Sequence, residues 1–190
     1  VAIESQGLRS FLLLVCLLTV AGVLVQQKFD GVLAVEEHAR IIEEATEKSG
    51  LRNPWLLYGV VYAESRGNAD SISSVGAMGL GQLMPETARE LATRYSVDGP
   101  PYSPKDNLLL AAHYLSELLA QFDGDQDLAL LAYRQGPGKV SRRILECGGI
   151  ESYKDAIRTR KPSPWEYRTQ VLRFAERFES RQKSKRPSQK

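Results

Sequence analysis

Glu64-Ser65-Arg66-Gly67-Asn68 closes an uncharged apolar run, Trp55 to Ala63, immediately before a glycine-rich loop. A run that is apolar on every face predicts a helix buried at the centre of a domain, with Asn53 as N-cap and Pro54 as first residue. Glu64 then falls in the last turn, where the negative end of the helix dipole opposes an ionised carboxylate and burial opposes it too. Both effects favour a protonated Glu near neutral pH, the state a general acid requires. The plainer alternative is a Glu emerging from the core into solvent.

Two further segments bear on that choice. Gly76-Ala77-Met78-Gly79-Leu80-Gly81-Gln82-Leu83-Met84-Pro85 predicts a tight loop followed by a helix, and its glycines permit close approach of backbone to a ligand. Ala132-Tyr133-Arg134-Gln135-Gly136-Pro137-Gly138 follows an apolar helical stretch and turns sharply. In this order and at these spacings the segments resemble the SLT-type lytic transglycosylases, the catalytic-domain family of the soluble lytic murein transglycosylase, whose fold is similar to goose-type lysozyme.

The resemblance runs from Trp55 to Val140. Glu64, Ser65 and Asn68 stand where the family has Glu-Ser-x-x-Asn. Gly79-Leu80-Gly81-Gln82-Leu83-Met84-Pro85 matches Gly-Leu-Met-Gln-x-x-Pro, with Gly81 in place of the Met. Asn107 and then Ala112-His113-Tyr114-Leu115 match a third block. In the fourth, Arg134-Gln135 replaces the Asn-Ala of Ala-Tyr-Asn-Ala-Gly-Pro-Gly, which puts a bulky cation where the family's Asn contacts the sugar. Of the last block only the Tyr167 and Val171 spacing survives.

What the resemblance implies is a mainly α, lysozyme-like domain with a substrate groove, preceded by an N-terminal hydrophobic helix. It implies a lyase that cleaves the bond from N-acetylmuramic acid to N-acetylglucosamine in peptidoglycan, leaving 1,6-anhydro ends. Glu64 would be the acid and then the base, with Tyr133 hydrogen-bonded to it. Ser65, Gly79, Gln82, Met84, Arg134 and Tyr167 would line the subsites. Most glycosidases use a second carboxylate, yet none lies in the matched blocks, and Asp70 beside Asn68 and Ser71 reads as a turn former. The muramyl 2-acetamido group would take that role, with no metal or cofactor. Two alternatives remain open at this point: a muramidase that delivers water on the same fold, and a non-catalytic peptidoglycan-binding component of an envelope complex.

The supporting residues have structural readings as well. Gln82 is either a sugar contact or an amide tying the loop together, Met84 either packs on substrate or belongs to the core, and Asn107 reads as the cap of the helix carrying Leu108 to Phe122. His38 and His113 lack ligand spacing, so no metal site is expected. Cys147 has no partner in the soluble part of the chain and reads as packing.

With 190 residues and 43% hydrophobic composition the chain can bury one core, so one catalytic domain is expected over residues 30–179. Ser10 to Gln27 carries no charge and lies behind Arg9, which predicts a signal peptide or single-pass inner-membrane anchor over residues 1–29. Val15 before Cys16 argues against a lipoprotein signal. Residues 180–190 are basic and lack apolar side chains, which predicts a disordered tail. These features together place the protein in the periplasm or cell envelope, with peptidoglycan strands and an envelope-spanning assembly as expected partners. A net charge of +2, with no aromatics interleaved among basic residues on a sheet, argues against nucleic-acid binding. Helices are expected at 32–48, 54–64, 85–95, 103–122, 128–133, 140–146 and 165–179.

Overall fold

The computed structural model describes residues 2–159 and 163–185. Nine helices appear among them: α1 (Ala2–Glu37), α2 (Ala39–Ser49), α3 (Pro54–Ser65), α4 (Pro85–Tyr95), α5 (Pro104–Gln121), α6 (Gln126–Gln135), α7 (Pro137–Glu146), α8 (Ile150–Thr159) and α9 (Pro164–Lys185). The mainly helical expectation holds. Extended pairing is confined to isolated antiparallel bridges, Ile72 with Met78 and Met78 with Leu83, in the loop between α3 and α4.

Helix α3 is the axis of the domain. Its boundary follows from the sequence: the Asn53 Oδ1 accepts from the Trp55 N–H, Pro54 occupies the first position, and Arg66 ends the helix in a left-handed conformation. Leu56 to Tyr62 are all buried, as a stretch with no polar face must be. Helix α9 lies along one side. Tyr62 stacks on Phe174 with ring centroids 3.5 Å apart, and Tyr58 meets Phe178 at 5.2 Å. The two backbones approach closely at Gly59, where a Cβ would sit 2.3 Å from the Val171 carbonyl oxygen. Helices α5 and α6 fill the other side with Leu108, Leu110, Leu115, Leu118, Leu128 and Leu130.

Capping sets the remaining registers. Ser103 caps α5 through the Asp106 N–H and Asp125 caps α6 through the Leu128 N–H. The expected role of Asn107 as the α5 cap is therefore corrected: the helix begins three residues earlier, and Asn107 lies buried within it. Helix α8 was not legible in the sequence. It is anchored by Lys154, whose Nζ lies 2.6 Å from Asp125 and 3.7 Å from Asp127, while Arg168 of α9 also pairs with Asp127.

Both ends of the chain depart from expectation. The helix predicted from residue 32 is broken at His38, so Val32 and Val35 belong to the end of α1 and are buried. The backbone of the expected signal or anchor is helical, and many of its side chains lie outside the described residues. Among the described residues no helix is long and apolar enough to cross a membrane. The expected disordered tail is corrected over its first six residues, 180–185, because α9 continues to Lys185. Arg181 grips Glu36 of α1 through Nε at 2.7 Å, and Lys183 pairs with Glu179 one turn back. Residues 186–190 lie outside the described residues.

The contact at Gly59 generates a prediction. Alanine is better than glycine in a helix by about 1 kcal/mol, but the new methyl would have to displace α9 backbone, at about 2–3 kcal/mol. Gly59→Ala should therefore lower the free energy of unfolding in a urea titration; an unchanged or higher value would remove the α3–α9 contact from this account.

Candidate active site

The mouth of the site lies where the end of α3, the glycine loop, the end of α6 and the first turn of α9 meet. Glu64 is the last-but-one residue of α3, and its side chain is 6% exposed. Burial is the largest influence on it and raises its pKa above the ordinary carboxylate value. Two neighbours pull the other way: first the Tyr167 hydroxyl, then the positive charge of Arg134. The Arg134 Nη1 lies 3.6 Å from the Glu64 Oε2, and its guanidinium sits over the Tyr167 ring at 5.7 Å.

Tyr167 and Arg134, expected only to line the subsites, are thus brought to Glu64 itself, but Tyr133 is not bonded to it. The Tyr133 hydroxyl donates to the Gly81 carbonyl at 2.8 Å, which corrects the expectation of a Tyr133–Glu64 hydrogen bond. Tyr133 is 8% exposed and lies near enough for the Glu64 charge to help raise its pKa, after the larger effect of burial. The Tyr167 oxygen is buried and is close enough to favour the Glu64 carboxylate, but it makes no hydrogen bond of ordinary geometry. Burial is again the main reason that its own pKa is raised.

Several residues expected in the subsites instead hold the loop in place. The Ser65 hydroxyl lies within hydrogen-bond reach of the Val61 and Leu80 carbonyls, at 3.1 and 2.9 Å, and accepts from the Gly67 N–H; it is buried. The Gln82 amide nitrogen donates to the Ser71 and Gly79 carbonyls, both at 2.9 Å. These bonds fix Gln82 itself at φ +47°, a conformation that a non-glycine residue rarely adopts. Met84 precedes α4 and is exposed.

Asn107 is the residue whose part in the site the sequence did not reveal. Its Oδ1 accepts from the Gly81 N–H at 2.8 Å and its Nδ2 donates to the Met78 carbonyl at 3.1 Å, so one buried amide spans the loop. Gly79 and Gly81 are glycines because of this packing. A Cβ on Gly79, at φ +78°, would meet the Asn107 side chain at 2.5 Å, and one on Gly81 would meet the Ala111 Cβ at 2.6 Å. The signal available in advance was a polar residue four places inside a helix cap, on the face otherwise occupied by Leu108 and Ala111.

Chemically, Glu64 is a buried acid whose conjugate base has a cation and a phenol at hand. It can give up a proton and take one back. Among the described residues no second carboxylate perturbs it, and Asp70 is exposed in the loop, where its N–H bonds to Asn68. Asn68 rather than Asp70 is the turn former. No group of three or more His, Cys, Asp or Glu residues able to hold a metal occurs among the described residues. His38 contacts the Gly67 carbonyl and His113 stacks on Tyr95.

Residues 40–155 match the profile of the transglycosylase SLT domain. The chain belongs to this family. The SLT-domain chain is 41% identical over 105 residues to the transglycosylase of Enterobacteria phage PRD1, covering 48% of itself and 37% of that protein. It is 36% identical over 84 residues to the soluble lytic murein transglycosylase of Escherichia coli K12, covering 40% of itself and 13% of that protein. Among solved structures, it is similar to the inactive Glu→Gln mutant of lytic transglycosylase Slt from Pseudomonas aeruginosa at a TM-score of 0.63 and 28% identity, over 73% of this chain and 23% of that one. The SLT-domain chain thus spans well under half the length of these relatives.

The loop geometry can be tested. Asn107→Ala would leave a buried N–H and a buried carbonyl without partners, each worth about 1–3 kcal/mol. Amide hydrogen exchange should accelerate at residues 76–83 while α3 and α5 stay protected. Equal protection of the loop in both proteins would show that it does not depend on Asn107.

Proposed function

We propose that the protein is a peptidoglycan lytic transglycosylase in which Glu64 is the acid and base. The observation that carries this reading is a buried carboxylate on which, among the described residues, no second carboxylate acts. Double-displacement and inverting glycosidases place two carboxyl groups across the scissile bond; here the second participant has to come from the substrate. Relatives named as transglycosylases, and a solved one rendered inactive by a Glu→Gln change, support the same assignment.

The steps follow from the site. Glu64, whose protonated form burial favours, gives its proton to the oxygen joining N-acetylmuramic acid to N-acetylglucosamine, and the bond from that oxygen to the muramyl C1 breaks. The muramyl 2-acetamido oxygen bonds to C1 as it leaves. The Glu64 carboxylate, now favoured by the Tyr167 hydroxyl, takes the proton of the C6 hydroxyl. That oxygen then bonds to C1 and releases the acetamido group, giving a 1,6-anhydro end. Glu64 is protonated again and no water is consumed. Tyr133 and Asn107 act through the loop as positioning residues, with Tyr133 holding Gly81 and Asn107 holding both Gly81 and Met78.

Such a substrate places the protein's action in the cell envelope. The apolar run 11–25 behind Arg9 supports export or anchoring through the N-terminal segment. The test is mass spectrometry of the products from purified sacculi. Muropeptides about 20 Da lighter than their reduced counterparts should form with the wild-type protein and not with Glu64→Gln. Reducing ends would identify a hydrolase on the same fold, and equal cleavage by Glu64→Gln would remove Glu64 from the chemistry.

A further inference from the structure

Arg134 stands beside Glu64 and favours its ionised form, not the protonated form in which Glu64 first acts. To donate a proton Glu64 must be neutral, and Arg134 then has no anion. Among the described residues Glu64 is the only carboxylate within 4.0 Å of its guanidinium. The contact is loose: at 3.6 Å it is longer than a hydrogen bond, and the Arg134 guanidinium makes no hydrogen bond among the described residues. Its five donors are therefore unspent. The two side chains also differ in access, 59% exposed for Arg134 against 6% for Glu64. The cation is at the mouth of the site and the acid is at its floor.

The fold holds Arg134 in that place. It lies in the last turn of α6, where a cation is favoured by the helix dipole. Tyr133, next in the chain, is buried the other way against Gly81 and lies 5.2 Å from Tyr114. The Tyr167 ring supports the guanidinium from α9, and the Arg134 side chain stays largely exposed. A planar fork with free donors is suited to a carboxylate, which it can bind through two parallel hydrogen bonds.

Resting on the function proposed above, we propose that Arg134 is a specificity residue that receives a carboxylate of the substrate, exchanging Glu64 for it when the glycan binds. The exchange has two consequences. The strand gains a charge-assisted anchor beside the scissile bond, and Arg134 stops favouring the ionised form of Glu64, so that the acid is left ready to donate. The substrate class is a muramyl glycan with a carboxylate close to the cleaved linkage. That group is either the lactyl carboxylate of a strand stripped of its peptide or a carboxylate of an attached stem; the chemistry is the same and the experiment separates the sources.

The experiment compares kcat and KM for anhydro-end formation on stripped strands and on strands with intact stems, each before and after amidation of its carboxylates with methylamine. The full chain is assayed beside Arg134→Gln and Arg134→Lys. A charge-assisted hydrogen bond at this site corresponds to about a tenfold preference. For the wild type, amidation should raise KM about tenfold on whichever strand supplies the carboxylate. In Arg134→Gln the ratio should collapse toward one, and Arg134→Lys, which keeps the charge without the fork, should fall between. Anhydro products formed equally well from native and amidated strands would leave the proposed function standing and overturn the role of Arg134, as would a preference that survives Arg134→Gln. Failure of the folded wild-type protein to form anhydro ends from any strand would overturn both.

Discussion

One carboxylate at the end of a helix with no polar face governs the rest of this site. Helix α3 is buried from Leu56 to Tyr62, so the first carboxylate on it emerges at the boundary of the core rather than in water. An ionised Glu64 in that position loses hydration and faces the negative end of its own helix. The surroundings can tolerate that charge only if other elements bring compensating groups. Tyr167 from α9 and Arg134 from α6 do so, incompletely, which leaves the carboxyl able to occupy both protonation states. A fully exposed Glu would be a poor acid at neutral pH, and one without those neighbours would hold its proton too tightly to give it up.

The loop beside Glu64 is held by side chains as well as by its backbone hydrogen bonds. Isolated bridges alone would be a weak frame. Asn107, Ser65, Gln82 and Tyr133 supply the missing bonds, each to a backbone atom of the segment from Gly67 to Gly81. Two glycines let α5 approach closely enough for this to work. Ile72, Met78, Leu83, Pro101 and Tyr102 line a cavity of about 540 Å³ that also touches Gly79 and Asn107.

The fold was largely legible where local chemistry decides it. Asn53-Pro54, Met84-Pro85 and Ser103-Pro104 mark helix starts that the structure shares, and the unbroken apolar run of α3 announced its own burial. Glu64 could be singled out for the same reason, as could the position of Arg134 next to a buried tyrosine. The failures share a cause: they depend on partners distant in sequence. Ser65 read as a substrate contact, and Gln82 stayed open between a sugar contact and a loop tie, because their hydroxyl and amide groups do not reveal which backbone carbonyls lie nearby. Tyr133 was assigned to Glu64, although Gly81 offers its hydroxyl a better partner. Helix α8 depends on Lys154 meeting two aspartates of α6, and the extension of α9 to Lys185 on Arg181 meeting Glu36. No local pattern encodes those contacts.

The central claim is that burial outweighs Tyr167 and Arg134 at Glu64, so that the acid form persists above the ordinary carboxylate range. Its most direct test is a carbon-13 NMR titration of the Glu64 side-chain carboxyl in the free protein, assigned by its loss in Glu64→Gln and repeated with Tyr167→Phe. The account predicts a midpoint above that of an exposed Glu, raised further when the phenol oxygen is removed. A midpoint at or below that of an exposed Glu would mean that the cation and the phenol prevail, and Glu64 would not then be the resting proton donor.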